Sequence, residues 1–486
     1  MKDFKSYLKF SAFALIFLII AACSGSKADG SAKSALSAFL NGNDNVVAFG
    51  NADLKDILSK ADYKNIPKLG KLLDGEMSTL EKIIDFDSPV YYALEGPFDK
   101  DGAPTSTYGF LEIKNKQALI DELTKRGFDV NEKGKMSYTE DGDFVFGFED
   151  KIAVFVTKKG DFDGEKLIAS AFKKSTGKTS GGTIDEILDQ DGDVILGMNV
   201  ESLYGTSNTD LSNLSKEQHE ELEELTKGSF VQTVFKFENG AAIIESKNHF
   251  SSALKDKMFF KSANDAPVVE MLGSGSPRLG VSINLDMKKL THFMEDYSPE
   301  TLDKIAGSLG PAVQGGLMLA GKDGLAALFD GRLGLVMVGD PGANGSMIPD
   351  FNAFVGMTER GKDMAKMMGD MNFEFAKISP QNGGLSMSSN QQYAYKSSGN
   401  KLNLPDGCEN FGKSSVSLFL NLDGLDMDDF DLEGEANLLR VVKYVTFDYD
   451  ENGGALYIKA KKGQENVLKQ AMDVLVEEFS SEIGSL

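Results

Sequence analysis

A chain of 486 residues, 41% of them apolar, is too long for one ordinary core, and two or more domains are expected. Its formal charge of −23 repels nucleic acid and anionic headgroups, which excludes DNA and RNA as partners. Two cysteines build no disulfide framework, and none of the three histidines has a motif partner that would activate a thiol.

The chain opens with Lys2, Lys5 and Lys9, an apolar run from Phe10 to Ile20, then Ala21, Ala22 and Cys23. That order reads as a signal peptide over 1–22. Ile20-Ala21-Ala22-Cys23 resembles the bacterial lipobox, which implies cleavage before Cys23 and lipidation of its thiol and new amino group. The leader carries three Lys and one Asp, so the mature chain is near −25. Each buried lipid methylene contributes about 0.8 kcal/mol, enough in three chains for firm attachment. No second apolar run reaches about 18 residues, so lipid on Cys23 is the expected membrane contact. Residues 23–43 read as a flexible tether, beginning SGSKADGSAKS. Ser24 resembles the sorting signal of outer-membrane lipoproteins. Asp29 is the one acid nearby of the kind tied to surface export, which leaves the face of that membrane open.

Beyond the tether, one pattern recurs four times: an apolar strand ending in Asn, an acid two residues on, and a nearby Leu. Its members are Asn51 and Asp53, Asn199 and Glu201, Asn284 and Asp286, and Asn421 and Asp423. Asn or Asp at a strand end accepts backbone N–H bonds from a following helix, so each copy is expected to be a strand–cap–helix corner. First to third and second to fourth copies lie at similar distances, which divides the chain into halves at 44–270 and 277–486, each with a long and a short strand–helix module.

Other segments repeat in the same order. Phe230 to Ile244 and Val442 to Ile458 both read strand, Glu-Asn-Gly, strand, the signal of a β-hairpin. Tyr108 to Leu123 and Asn352 to Met367 each run from a strand into an amphipathic helix. MSYTEDGDFVFGFEDKIAVFVTK is a run of short strands, and LSMSSNQQYAYKSSGNKLNL alternates similarly. Lys174 to Gly182 and Met271 to Pro277 read as linkers, and Gln464 to Phe479 as a closing amphipathic helix. The expected class is α+β: antiparallel sheets with helices packed on one face, internally duplicated. The lipobox, the four corners and the duplicated layout resemble the Bacteroidota lipoprotein family known as domain of unknown function 4836. That resemblance implies an exported lipoprotein over most of the mature chain, and no residue roles come with it.

Motifs for chemistry fail on inspection. Thr176-Gly177-Lys178-Thr179 ends like a phosphate loop, but Phe172 stands where the first glycine belongs. Asp448, Asp450 and Asn452 start like a calcium loop, but Lys459 replaces the closing Glu. Asp189-Gln-Asp191-Gly-Asp193 reads as the start of a strand. Met364, Met367, Met368 and Met371 have the spacing of a core helix as much as of a soft-metal site. His219 follows a capping box of Ser215 and Gln218 and lacks the second histidine of a metalloprotease helix. Cys408 is expected to be buried. No cofactor and no metal are implied.

The leading expectation is therefore a lipid-anchored outer-membrane protein without enzymatic activity, serving binding or envelope structure, with a protein or glycan ligand. One rival is a carboxylate-dependent hydrolase of glycans, since 74 acids offer many pairs. The other is a periplasmic carrier of lipids or lipoproteins, which predicts an apolar cavity near Leu309 to Leu335.

Overall fold

Apolar residues alternating with polar ones, broken by Gly, Asn and Asp at the turns, specify strands that hide one side chain in two. The computed structural model describes residues 31–66, 69–99, 102–158, 160–179, 181–206, 215–261, 268–298, 304, 321–339, 349–368, 377–381, 383–396, 401–425 and 434–478. The leader and Cys23 lie outside them.

Helix α1 (Ser31–Asn41) leads into β1 (Val46–Ala52), α2 (Leu54–Lys60), α3 (Leu69–Leu80), β2 (Val90–Glu95), β3 (Ser106–Glu112) and α4 (Lys116–Lys125). A meander follows: β4 (Asn131–Lys133), β5 (Met136–Asp141), β6 (Phe144–Phe148) and β7 (Ile152–Lys158). Then come α5 (Gly164–Ser175), α6 (Thr183–Leu188), β8 (Val194–Asn199), α7 (Val200–Thr206), α8 (Lys216–Thr226), β9 (Phe230–Glu238), β10 (Ala241–His249) and α9 (Ser252–Lys257). The second half comprises β11 (Pro277–Asn284), α10 (Met287–Tyr297), β12 (Phe329–Val338), β13 (Asp350–Met357), α11 (Glu359–Met368), β14 (Lys377–Gln381), β15 (Gly384–Ser388) and β16 (Val416–Asn421). It ends with a 3-10 turn (Gly434–Val441), β17 (Val442–Asp450), β18 (Gly453–Ala460) and α12 (Val467–Glu478).

All these strands join one antiparallel sheet, in the spatial order β4-β5-β6-β7-β3-β2-β1-β8-β9-β10 and then β18-β17-β16-β11-β12-β13-β15-β14. Read inward from each end, β7-β3-β2-β1-β8-β9-β10 and β15-β13-β12-β11-β16-β17-β18 are the same arrangement. The class is α+β and antiparallel, with a duplicated strand order. The duplicates share one sheet because the last strands of both halves, β10 and β18, pair with each other.

Helices cover both faces of the first half, not one. Strands β3, β6 and β7 are apolar at successive positions, so each supplies both sides. Tyr108, Phe110, Val145, Val154 and Val156 face α1, α5 and α6, while Leu111, Phe144, Phe146, Phe148 and Phe155 face α2, α3 and α4. Residues 31–43 are likewise not a tether. Ala32, Leu36, Phe39 and Leu40 recur at helical spacing on α1, and Leu36 and Phe39 are 0% exposed beneath it.

In the second half the core on that first face is roofed by irregular chain. Val336, Val338, Phe354 and Phe419 meet Val268, Leu272, Cys408 and Phe411. The segment expected to link the halves, 271–277, is thus partly core, with Leu272 at 0% exposure. Residues 390–396 and 401–404 are also not further strands; Tyr393, Leu402 and Leu404 pack into the same core. Two glycines are forced by close approach. Gly197 lies opposite Phe49 on β1–β8 and Gly280 opposite Phe419 on β11–β16, and a Cβ on either would sit within 2.6 Å of the facing ring. The halves thus use the same aromatic-over-glycine contact with the strands exchanged.

Candidate binding surface

The other face of the sheet is built differently. Val194, Phe235, Ile244, Leu456, Phe447, Leu418, Val281, Leu335, Ala353 and Met387 lie directly opposite one another in turn, an unbroken apolar row over ten strands. A second row, Phe237, Ala242, Ile458, Val445, Leu420, Leu279, Met337 and Phe351, runs parallel to it. Strand geometry places both rows on one face.

Burial separates the two sides over part of the sheet. On β11, β12, β13 and β16 the opposite side chains Ser282, Val336, Phe354, Ser417 and Phe419 are buried while the row is half-buried; on β17 and β18 both faces are half-buried, and on β10 the opposite Glu245 and Lys247 are exposed. Leu333, beside the row, is 41% exposed. Beyond Val194 the row continues through Ala52 into Val90, Leu111 and Ala153, which α2, α3 and α4 close over. Among the described residues, α2 and α12 reach β9, Val467 of α12 packs with Ala242 on β10 and Ala460 on β18, α10 reaches β12, α11 reaches β13 to β15, and the Phe260 ring lies 5.1 Å from that of Tyr449 on β17.

The row has a centre. Hairpin β9–β10 closes on the pair Glu238 and Ala241, and β17–β18 on Asp450 and Gly453. Ile244 and Leu456 are each the third residue beyond those closing positions, and they lie opposite each other. Stepping outward, Phe235 matches Phe447 and Val194 matches Leu418. The register therefore exchanges the halves about Ile244 and Leu456, as in an isologous dimer interface. The shared Glu-Asn-Gly motif sits one residue out of phase. The two-residue loop is Asn239-Gly240 in one hairpin and Glu451-Asn452 in the other.

Hydrogen bonds stitch this seam at both ends. Buried Asn248 donates to Tyr449 Oη at 2.8 Å and to the Glu451 carbonyl at 3.2 Å. Asn466 donates to the Phe237 carbonyl at 2.9 Å. Helix packing is reciprocal: α12 of the second half rests on α2 of the first, while Leu254 on α9 joins Phe293 and Tyr297 on α10.

The eight corner residues are spread over the sheet and form no common site. Asp53 and Asp286 cap α2 and α10, accepting from Asp56 N at 2.9 Å and Lys289 N at 3.0 Å. Asn199 accepts from Ser202 N at 3.3 Å at the start of α7. Buried Asn51 instead donates to the Leu188 carbonyl at 3.1 Å, and Glu201 accepts from Gly228 N at 3.4 Å. Buried Asn284 holds the β11–β16 corner through its backbone, donating to the Ser415 carbonyl and accepting from Lys261 N, and the cap of α10 is Asp286. Asn421 accepts from Asp423 N at 3.0 Å in a turn, and Asp423 pairs with Lys443 at 3.3 Å.

A polar centre that the sequence marked only as the start of a strand is Asp193, 3% exposed, which accepts from Lys60 Nζ at 2.6 Å and Phe237 N at 2.5 Å. Lys60 also pairs with Asp56 at 2.8 Å. Burial pushes the Asp193 carboxyl up against the pull of Lys60 and the amide. Its neighbour Val194 opens β8, so a polar residue at this strand end had no apolar periodicity to mark it.

The other candidates are structural. Asp450 accepts from Asn452 N at 2.8 Å, ordinary turn chemistry, and Asp448 accepts from Ser417 at 2.7 Å. Ser215 and Gln218 form the expected capping box before His219. The side chains of Met364, Met367 and Met368, all of Met371, and Leu309 to Ala320 lie outside the described residues. Among the described residues no group of acids, His and Cys is arranged to hold a metal, and no helix is long and apolar enough to cross a membrane.

No family model matches the chain, and no curated protein matches it. Among solved structures, crystal form III of TP0453 is 10% identical, covering 43% of this chain and 76% of that one, with a TM-score of 0.27. Crystal form I of TP0453 is 9% identical over 75% and 94%, with a TM-score of 0.20. Likenesses this weak carry no argument about this chain.

Proposed function

We propose that this protein is a lipid-anchored lipoprotein of the outer membrane or cell envelope, without catalytic activity, that holds apolar molecules on the open face of its sheet. The observation that carries this reading is the half-buried apolar row from Val194 to Met387. Among the described residues the row is incompletely covered, and apolar surface left in water costs roughly 25 cal/mol per Å², so the row is expected to have an occupant. The carrier reading anticipated an apolar cavity near Leu309 to Leu335; of that stretch, Leu333 and Leu335 lie on this face, and Leu309 to Ala320 lie outside the described residues. The hydrolase reading gains no comparable support, because Asp56 and Asp193, which share Lys60, are engaged in structural bonds. The anchor rests on the lipobox-like Ile20 to Cys23, and the chain's acidity accords with a partner other than nucleic acid.

The test is a Cys23→Ser chain exported without lipid, purified without detergent and extracted with organic solvent. Acyl lipids recovered at a fixed ratio to protein, and saturable binding of a fluorescent fatty acid, are expected. A clean extract together with no saturable binding would overturn the reading. Radiolabelled palmitate should enter the wild-type chain and not the Cys23→Ser variant. Protease shaving of intact against lysed cells assigns the face of the membrane.

A further inference from the structure

Resting on the lipid anchor of that reading, we infer that the sheet edge where α1 begins, marked by Glu112, Asp150 and Asp189, faces the headgroup layer to which Cys23 is tied. Covalent length sets the distance. Residues 23–43 have the composition of a tether, but α1 belongs to the core: Ala32, Leu36 and Phe39 are 0% exposed, and Ala32 N donates to Glu112 Oε1 at 3.3 Å. Nine peptide links join Cys23 to Ala32, against 20 from Cys23 to Asn43. At full extension nine links span about 32 Å, less than half the reach of 20.

The direction of α1 picks the edge. The helix runs over β2 and β3 from Glu112, the last residue of β3, towards Glu95, the last residue of β2, which accepts from Asn43 Nδ2 at 2.6 Å. Its first residues therefore lie with the β6–β7 turn, since Glu112 is opposite Ile152, and with Asp189, which pairs with Lys33 at 2.7 Å. Charge selects among the poses that so short a link allows. The chain carries −23, and laying the whole sheet flat would bring more of that charge against anionic headgroups than standing it on the α1 edge. The second half is then farthest off. Exposed Glu359, at the start of α11, lies twelve strands along the sheet from β7 and at the other ends of the strands, a path of about 58 Å.

Energy transfer to the bilayer tests this. The chain has no Trp, so a single introduced Trp reports its own position. Asp150→Trp and Glu359→Trp, both at exposed positions, are made in the full lipidated chain and bound to vesicles of phosphatidylethanolamine and phosphatidylglycerol that contain a dansyl lipid. Transfer from Asp150→Trp is expected to exceed that from Glu359→Trp at least about twofold, as a link of nine residues requires. A Gly/Ser insert of roughly 20 residues between Gly30 and Ser31 adds about 25 Å, and should cut transfer from Asp150→Trp by at least about half. Urea midpoints accompany each variant, and Lys151→Trp serves where Asp150→Trp does not fold. Equal transfer from the two positions, or transfer from Asp150→Trp unchanged by the insert, would overturn the inference while leaving the anchor standing. A wild-type chain that does not float with the vesicles would remove the anchor, and the inference with it.

Discussion

Lys60 Nζ lies 2.6 Å from Asp193 Oδ1, joining the last residue of α2 to the residue that precedes β8. Asp193 is nearly inaccessible and also takes the Phe237 amide, so one carboxylate ties α2, β8 and β9 together at the edge of the open face. Removing Lys60 leaves that charge buried without its cation. Lys60→Met is expected to destabilise the protein by about 3–5 kcal/mol, and the double variant with Asp193→Asn by less. Urea unfolding of the three chains decides; equal losses in single and double variants would show the pair to be uncoupled.

Leu418 and Phe419 are neighbours on β16 that point to opposite faces. Phe419 is buried against Phe411, with ring centroids 4.9 Å apart, whereas Leu418 is half-buried on the open row. Phe419→Ala should cost about 3–5 kcal/mol. Leu418→Ala should cost well under half of that, since much of its side chain is not enclosed. A Leu418 effect as large as that of Phe419 would mean the face is closed.

Cys408, at 1% exposure, lies in the second-half core, and burial, with Glu409 and Asp448 nearby, pushes its thiol up to about 11. A buried, protonated thiol is a poor nucleophile. Ellman's reagent at pH 8 should label the native chain at least about 100-fold more slowly than the chain in urea, because reaction waits on opening. Rapid native labelling would place the thiol in an accessible position.

His249 closes β10, with Nε2 3.0 Å from Gln232 Oε1. Burial, then Lys247, hold its imidazolium form below its ordinary range. The unfolded chain keeps a pKa near 6.5, so below that value it binds protons that the folded chain refuses. The contribution of His249 is therefore complete above about pH 6.5 and is lost as pH falls through the lower, folded value. Urea midpoints at pH 7.5 and 5.5 should differ less in His249→Gln than in wild type; an unchanged difference would assign the pH dependence elsewhere.

Local chemistry made a large part of this fold readable. Apolar runs marked β2 and β3, Glu-Asn-Gly turns marked both hairpins, and Asp53 and Asp286 marked the caps of α2 and α10, because these signals depend on residues adjacent in the chain. Helix α1 is equally legible in Ala32, Leu36 and Phe39, although the small polar residues before it have the composition of a tether. The repeat of strand and corner signals announced a duplication. It did not announce that β10 would meet β18, because strand pairing between residues some 200 apart leaves no mark in either strand. Nor did alternation say which face would be closed. Phe419 and Leu418 have equally apolar side chains, and among the described residues the paths of 268–272 and 401–415 across one side distinguish them. Burial is a property of what arrives from elsewhere in the chain, so the open row, its centre at Ile244 and Leu456, and the charge held at Asp193 exist only once the two halves share a sheet.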